Sequence, residues 1–227
     1  PWIFASAIER VEDSPQPGWT ADVVTYDGRW VCKAGYSPKS QLRARVWTLE
    51  EGEDVDAAFF ERRIRSAVNL RHRLGRMDAA GGCRLINAEG DRLPGLVVDR
   101  FADVLVVQIN SSPMEYWRET ILDALETVVG PAAIYERSDS DNRVKEGLSK
   151  QSGWVRGTAR EGAIEINEFG ALFGVDVVQG HKTGFYLDQA ENRALVRDLS
   201  KDARVLNCFS YTGGFSVQAA LGGATEV

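Results

Sequence analysis

The stretch Ala203-Arg204-Val205-Leu206-Asn207-Cys208-Phe209-Ser210-Tyr211-Thr212-Gly213-Gly214-Phe215 joins a short apolar segment to a diglycine loop. Residues 203–209 predict a buried strand, 210–214 a tight loop, 215–221 a helix, and 224–227 the start of another strand. This order opens nucleotide-binding α/β domains, in which free N–H groups at the helix start hold a negatively charged group. The loop matches neither common phosphate-binding pattern, so the glycines could also serve only to turn the chain into the helix.

A second polar cluster, Gly180–Arg193, precedes this stretch. Tyr186 could stack on a flat ligand, while Lys182 and Asp188 could bind the carboxylate and the amine of a zwitterion. Asp188, with Glu191 three residues later, also predicts the N-cap of the helix that follows. The alternative is therefore a capped helix whose Lys and Arg side chains are solvated.

Residues 1–52 predict a small β-barrel of short strands. Residues 21–26 and 29–34 flank Asp27-Gly28, a two-residue hairpin signal, and residues 42–47 alternate between apolar and polar side chains. Several short strands at regular spacing, separated by turn residues, are typical of small barrels.

A linker helix is expected over residues 53–76, because Phe60, Ile64 and Ala67 recur at helical spacing.

Residues 77–180 predict a mixed α+β domain. Its elements are expected as strands at 83–87, 96–101, 104–109 and 133–136, a helix that Ser112 caps, a long polar loop at 137–153, and a hairpin of 164–168 with 171–178. With residues 181–227 as the start of an α/β domain, the chain is predicted to be an α+β and α/β multidomain protein.

The composition is that of a globular protein and excludes several classes. The 227 residues are 44% apolar and 26% charged, which excludes disorder and coiled coil. We expect no membrane span, since no run approaches about 20 apolar residues, and no secretory signal. Cys32, Cys83 and Cys208 are too scattered for a disulfide framework or a metal site. A cytoplasmic location is expected, and a native start before Pro1, since the chain lacks an initiator Met.

The net charge of −6 hides a run of basic residues without acids between them. The run consists of Arg29, Lys33, Lys39, Arg43 and Arg45. A local basic face on an acidic protein is compatible with phosphate binding. The alternative is a solvated surface whose charges are balanced in space by neighbouring acids.

Two blocks resemble a known family. Asn207–Phe215 and Lys182–Gln189 resemble signatures of the RlmI-type ribosomal RNA large-subunit methyltransferases, which methylate C5 of cytosine with S-adenosylmethionine. Further similar blocks cover nearly the whole chain: Pro1–Phe4, Ser40–Leu42, Asn87–Asp91, Leu93–Arg100 and Tyr135–Ser138. The resemblance implies an RNA-binding PUA domain (1–52), the linker helix, a middle α+β domain and the beginning of a Rossmann-like methyltransferase domain, which is the order predicted above.

The resemblance also implies the binding residues. The block with Lys182, Tyr186 and Asp188 would lie against the methionine end of S-adenosylmethionine. The first cofactor motif would be the loop of Phe209, Ser210, Tyr211, Thr212, Gly213 and Gly214. The basic run Arg29–Arg45 would contact phosphates of large-subunit ribosomal RNA, and the loop residues Arg137, Asp139, Asp141, Asn142 and Arg143 could also approach RNA or simply be solvated. His181 stands where the family more often has Gln, and it is a poor candidate for a general base.

Cytosine-5 methylation needs a Cys thiolate that attacks C6 of the base. The resemblance implies that this nucleophile lies in a Pro-Cys motif beyond Val227, so no catalytic residue is expected here. Cys208, at the end of a predicted buried strand without a neighbouring base, is expected to be an inert core thiol. The chain thus resembles the front part of an enzyme that is inactive alone. The alternative is a non-catalytic RNA-binding module of the PUA type.

Overall fold

The computed structural model of the protein describes all residues from Pro1 to Val227. It contains a four-stranded sheet, a five-stranded sheet and a two-stranded hairpin, followed by two helices near the C-terminus. No helix is both long enough and apolar enough to cross a membrane.

The N-terminal sheet is antiparallel, with the strand order β1-β4-β3-β2. Its strands are β1 (Trp2–Ile3), β2 (Thr20–Val24), β3 (Trp30–Tyr36) and β4 (Ala44–Thr48). β2 and β3 form the predicted hairpin, but its turn is longer than the two residues predicted: the N–H of Gly28 donates to the carbonyl oxygen of Thr25, and Gly28 has a positive φ of 82° while Asp27 does not. Because β1 has only two residues and pairs only with β4, the pairings leave an open sheet in place of the predicted closed barrel.

A helix, α1 (Ala57–Arg73), lies within the range 53–76 that was predicted for the linker helix. The Asp56 carboxylate caps it by accepting a hydrogen bond of 2.8 Å from the N–H group of Phe59. Phe60, Ile64 and Ala67 are buried, as their helical spacing predicts.

The five-stranded sheet has the order β5-β6-β7-β8-β9 and is antiparallel except for the pair β7–β8. Its strands are β5 (Gly82–Asn87), β6 (Leu96–Phe101), β7 (Val104–Ile109), β8 (Ala133–Ser138) and β9 (Gln151–Gly157). Two helices, α2 (Ser112–Tyr116) and α3 (Arg118–Val129), connect the parallel strands, which cannot be joined by a tight turn. Ser111 rather than Ser112 caps α2, because Ser111 has the extended backbone that a cap requires and its hydroxyl accepts from the N–H of Met114.

The predicted long loop at 137–153 is wrong. Residues up to Ser138 complete β8, residues Asp141–Lys145 form the short helix α4, and β9 begins at Gln151. β9 is an edge strand that pairs only with β8, so its polar residues face solvent and hide the strand pattern.

The sheet carries a core on each face. On one face, the sheet, α1 and α3 contribute to a cluster of 21 buried side chains, among them Leu105, Ile121 and Ile134. On the other face, the sheet and the hairpin of β10 (Ile164–Glu168) and β11 (Ala171–Val175) contribute to a cluster of nine, including Val106. This second face leads toward the C-terminal segment.

The C-terminal segment contains α5 (Ala190–Leu199) and α6 (Gly214–Leu221), which pack against each other. The predicted buried strand at 203–209 is wrong, since only one parallel bridge forms, between Arg204 and Glu226. Leu206 and Phe209 are almost fully exposed. A parallel strand is stabilised by neighbours on both edges, and residues 224–227 are the only neighbour that this segment has.

The N-terminal sheet docks on the five-stranded sheet through close backbone contacts. Gly35 lies so near Pro113 that a Cβ atom at position 35 would overlap the proline ring. Trp47 contributes to the larger core and meets the Phe60 ring edge-to-face at 5.5 Å. The two sheets therefore form one packed unit with little room for relative movement.

Candidate cofactor and RNA sites

A tight turn presents the segment from Gly180 to Asp188. A Cβ atom at Gly180 would lie 2.9 Å from the carbonyl oxygen of Gly184, so a side chain has no space there. Lys182 has a positive φ of 54°, which is unusual for a residue with a side chain and marks a conformation that its surroundings impose.

The turn is anchored to the five-stranded sheet by Thr183. Its buried hydroxyl donates a hydrogen bond of 2.6 Å to Asp99, which is fully buried on β6. The same carboxylate accepts two hydrogen bonds from Arg84, at 2.8 and 3.0 Å, and these raise the pKa of that guanidinium. Asp99 is therefore a charged group whose two oxygens are both satisfied inside the protein.

Lys182 and Asp188 form an exposed pair over Tyr186. The Lys182 ammonium donates to both oxygens of Asp188, at 2.9 and 3.0 Å, and lies 4.5 Å from the centre of the Tyr186 ring. The hydrogen bond from Lys182 lowers the pKa of Asp188 below its usual value. The predicted N-cap is wrong, because the Asp188 carboxylate binds Lys182 and α5 has no side-chain cap.

Tyr211 joins this segment to the diglycine loop. Its ring stacks on the His181 ring at 4.4 Å with an interplanar angle of 14°, and meets the Tyr186 ring edge-on at 5.4 Å. Its hydroxyl accepts a hydrogen bond of 2.8 Å from the N–H of His181 and lies 3.4 Å from the carbonyl oxygen of Gly184. The two segments predicted to bind the cofactor are thus neighbours, with Lys182, Tyr186, Asp188 and Tyr211 at one place.

The remaining loop residues are free to meet a ligand. Phe209, Ser210 and Thr212 are exposed, and their side chains form no hydrogen bond. Gly213 has a positive φ of 74° and precedes the N-terminus of α6, which has no side-chain cap. The first N–H groups of α6 are therefore available to a polar or anionic group.

Arg193, the last residue of the polar cluster, is buried and holds both segments in place, which contradicts the alternative of a solvated side chain. Its buried guanidinium makes two hydrogen bonds of 2.6 Å to Glu168 and one of 3.1 Å to the carbonyl oxygen of Tyr186. Its Cδ atom lies against Gly214, where a Cβ atom would approach to 2.9 Å. The partner of Arg193 is 25 positions away in sequence, so no local pattern indicated this role.

The three cysteines lie in different environments. Cys32 and Cys83 are buried, and burial raises the pKa of both thiols. Cys208 is exposed, so the prediction of a core thiol is wrong, because the strand that would have buried it does not form. The side chain of Cys208 has no hydrogen bond to a basic group that would activate it.

The basic run does not form one continuous face. Arg29 is exposed and pairs with Asp27, Lys33 donates to the carbonyl oxygen of Glu53, and Lys39 is exposed without an ion pair. Half-buried Arg43 donates to the carbonyl oxygen of Pro38. These four residues keep at least part of their side chains accessible.

The prediction that Arg45 contacts phosphate is wrong. This residue is 6% exposed and donates two hydrogen bonds to Glu146, at 2.8 and 3.2 Å, across the junction of the two sheets. Burial alone would raise the pKa of Glu146, but hydrogen bonds from Arg45 and Ser40 lower it below its usual value. Arg143, named above as a possible RNA contact, is also buried and donates to the carbonyl oxygen of Ile109 at 2.6 Å. Arg45 and Arg143 therefore hold the fold and are not accessible to RNA.

Two family models match the chain. The model for a PUA-like domain matches residues 1–49, and the model for an S-adenosylmethionine-dependent methyltransferase matches residues 84–227. The second match includes the five-stranded sheet as well as the diglycine loop.

Curated proteins match the whole chain. A protein named ribosomal RNA large subunit methyltransferase I from Enterobacter sp. (strain 638) is 45% identical over all 227 residues. Its namesake from Escherichia coli O139:H28 is 44% identical over the same length. The chain spans 57% of each of these relatives.

Solved structures share the fold. A protein from Streptococcus mutans, provisionally described as a SAM-dependent methyltransferase, aligns over 99% of this chain and 57% of its own, with a TM-score of 0.80 and 21% identity. A structure of SMU.776, provisionally described as a methyltransferase and complexed with SAH, gives a TM-score of 0.82 at 21% identity, over 99% of this chain and 56% of its own.

Proposed function

The chain belongs to the S-adenosylmethionine-dependent methyltransferase family, and we propose that it is part of an enzyme that methylates C5 of a cytosine in large-subunit ribosomal RNA. The observation that carries this proposal is the stack of Tyr211 on His181, which places the diglycine loop beside Lys182 and Asp188. The names of the curated relatives support the substrate class.

The residues at this place fit S-adenosylmethionine. Its methionine end carries a carboxylate and an amine, which match the charges of Lys182 and Asp188. The exposed loop from Phe209 to Thr212 and the uncapped N-terminus of α6 offer polar contacts for the rest of the molecule. The cofactor, when bound, supplies an electrophilic methyl group, and Arg193 keeps the two protein segments in register through Tyr186 and Gly214.

The proposed reaction needs a thiolate that adds to C6 of the cytosine, because C5 is otherwise too weak a nucleophile to accept the methyl group. The raised thiol pKa values of buried Cys32 and Cys83 make both unsuitable. Cys208 has no basic partner. We propose that the nucleophile lies outside these 227 residues and that the chain alone does not transfer methyl groups.

The proposed RNA contacts are Arg29, Lys33, Lys39 and Arg43 on the PUA-like domain. Lys39 has no ion pair, whereas Arg29 pairs with Asp27 and Lys33 with Asp54, so these two would exchange a carboxylate for a phosphate. Phosphate contacts position an RNA without reading its sequence. Arg45 is left out because it is buried against Glu146. An enzyme with a ribosomal RNA substrate would act in the cytoplasm.

A chimera tests the function directly. The matching segment of the Enterobacter relative would be replaced by this chain, and the product would be incubated with S-adenosylmethionine and large-subunit ribosomal RNA from cells lacking the relative. We expect 5-methylcytosine, identified by mass spectrometry of nucleosides, with the chimera and none with the 227 residues alone. A different methylated nucleoside, or no product from the chimera while the intact relative is active, would overturn the proposal.

A Tyr211→Ala chimera is the matched variant. Loss of the stack on His181 should lower the rate of methylation at limiting S-adenosylmethionine. The control is a Tyr26→Ala chimera, because Tyr26 is 92% exposed and far from the loops in sequence. This control should methylate at the rate of the unchanged chimera.

A further inference from the structure

A polar cleft lies between the N-terminal sheet and the five-stranded sheet. Its volume is about 640 Å³, which is large enough for a nucleotide. The PUA-like domain contributes Lys39, Ser40 and Gln41 to its wall, and the middle domain contributes Asn110, Asn142 and Lys145. None of these residues belongs to the two segments assigned above to the cofactor.

The walls of the cleft are held in a fixed position. The buried pair of Arg45 and Glu146 crosses the junction at the cleft itself, since both residues also line it. The methylene groups of Lys39 lie directly on Gly147, where a Cβ atom would overlap them. The cleft is therefore a feature of the docked domains and needs no rearrangement to exist.

The cleft presents hydrogen-bond donors and cations that have no partner in the protein. Lys39 and Lys145 are exposed and form no ion pair, while the side-chain amides of Gln41 and Asn142 make no hydrogen bond. Asn110 accepts a hydrogen bond from Ser140 at 2.8 Å, which leaves its own N–H groups free.

The cleft also has two carboxylates. Glu146 is bound by Arg45, whereas Glu89 accepts one hydrogen bond of 2.9 Å from the neutral indole N–H of Trp2 and forms no ion pair. The ammonium groups of the cleft suit a phosphate, and its amides suit the edge of a base.

The cleft lies on the same face of the five-stranded sheet as the cofactor segment. Val97 lines the cleft and Asp99, two residues further along β6, holds Thr183 of the Lys182 turn. Residues two apart on a strand point to the same face of the sheet.

We propose that this cleft binds one nucleotide of single-stranded RNA. The inference rests on the proposed RNA substrate and adds the middle-domain residues Asn110, Asn142 and Lys145 to the RNA contacts. Lys39 and Lys145 bind the phosphate, and the amides of Gln41 and Asn142 contact the base. A base in a duplex would keep its edge paired, so the cleft favours RNA that is unpaired at this position.

Fluorescence anisotropy with the 227-residue chain tests this proposal. The probe is a fluorescein-labelled single-stranded RNA of about twelve nucleotides, titrated at several salt concentrations, with the same sequence as a duplex for comparison. A Lys39→Ala/Lys145→Ala variant should bind more weakly and lose about 0.7 from the slope of log K against log salt, since one neutralised single-strand phosphate contributes about 0.7. Lys201→Ala is the matched control, because Lys201 is exposed but lies outside the cleft.

The amide variants separate base contacts from phosphate contacts. Gln41→Ala/Asn142→Ala should weaken binding with an unchanged salt slope. The cleft proposal would be overturned if both double variants bound RNA with the affinity and the salt slope of the wild type while Arg29→Ala/Arg43→Ala bound more weakly. That result would leave the proposed function intact. Tighter binding of the duplex than of the single strand would also overturn the cleft proposal. If neither the wild type nor any variant bound RNA, the RNA contacts proposed for the PUA-like domain would be contradicted as well.

Discussion

The hydroxyl of Thr183 donates a hydrogen bond of 2.6 Å to the buried carboxylate of Asp99, which stands 84 positions earlier in the chain. The bond fastens the turn that carries Lys182 to β6, an interior strand of the five-stranded sheet. The position of the Lys182–Asp188 pair therefore depends on the middle domain. A substitution at Asp99 or Thr183 should alter the position of the segment that is proposed to bind the cofactor.

Thr183→Val removes this bond while keeping the shape of the side chain. One oxygen of a buried carboxylate loses a donor, which should lower the free energy of unfolding by about 1–3 kcal/mol. Urea denaturation measures the loss, and hydrogen exchange should show faster exchange over residues 181–188. Thr183→Ser keeps the hydroxyl and should stay close to the wild type in both measurements; equal losses for Val and Ser would show that packing, and not the bond to Asp99, holds the turn.

Gly35→Ala should weaken the docking of the two sheets. The added Cβ would overlap the ring of Pro113, and such overpacking typically costs about 1–3 kcal/mol. Gly52→Ala is the control, because a Cβ at Gly52 meets no atom within 4 Å. The melting temperature of the Gly35 variant should fall while that of the Gly52 variant does not, and equal melting temperatures would contradict the close packing at Pro113.

The pair of Glu146 and Arg45 should make stability depend on pH in the acid range. The folded pKa of Glu146 lies below its ordinary value of 4.5, so the pair contributes fully above pH 4.5 and its contribution falls as the pH drops through the folded pKa. Glu146→Gln removes the charge and should cost on the order of 3 kcal/mol at pH 7, since Arg45 stays buried without its counterion.

Urea denaturation at pH 7 and pH 4 separates this effect from the other carboxylates. The wild type should lose more stability between the two pH values than Glu146→Gln does. Equal losses in the two proteins would mean that Glu146 does not titrate below its ordinary value.

The elements that local chemistry dictates could be predicted from the sequence. The apolar runs of β6 and β7 and the hairpin at Asp27-Gly28 depend on residues close together in the chain, and the structure has them where they were predicted. The edge strand β9 was missed because its polar residues face solvent and show no alternation. Ser111 and Ser112 are chemically the same cap, and only the backbone angles select Ser111.

The side chains whose surroundings could not be predicted from the sequence depend on partners that are distant in the chain. Arg45 belongs to a basic run, yet its partner Glu146 stands 101 positions later, so its burial could not be inferred locally. Cys208 follows an apolar segment, but burial needed neighbouring strands that do not form around it. Lys182 and Tyr186 were predicted as part of one cluster and do lie together, because they are only four positions apart in one turn.

We propose that the segments around Lys182 and Tyr211 form one side of the S-adenosylmethionine site. This can be tested by titrating S-adenosylhomocysteine into the ¹⁵N-labelled chain and following amide chemical shifts, because the method also detects weak binding. We expect saturable shifts confined to residues 181–188, 209–214 and their immediate contacts. No shifts at millimolar ligand, or shifts only in the N-terminal sheet, would contradict it.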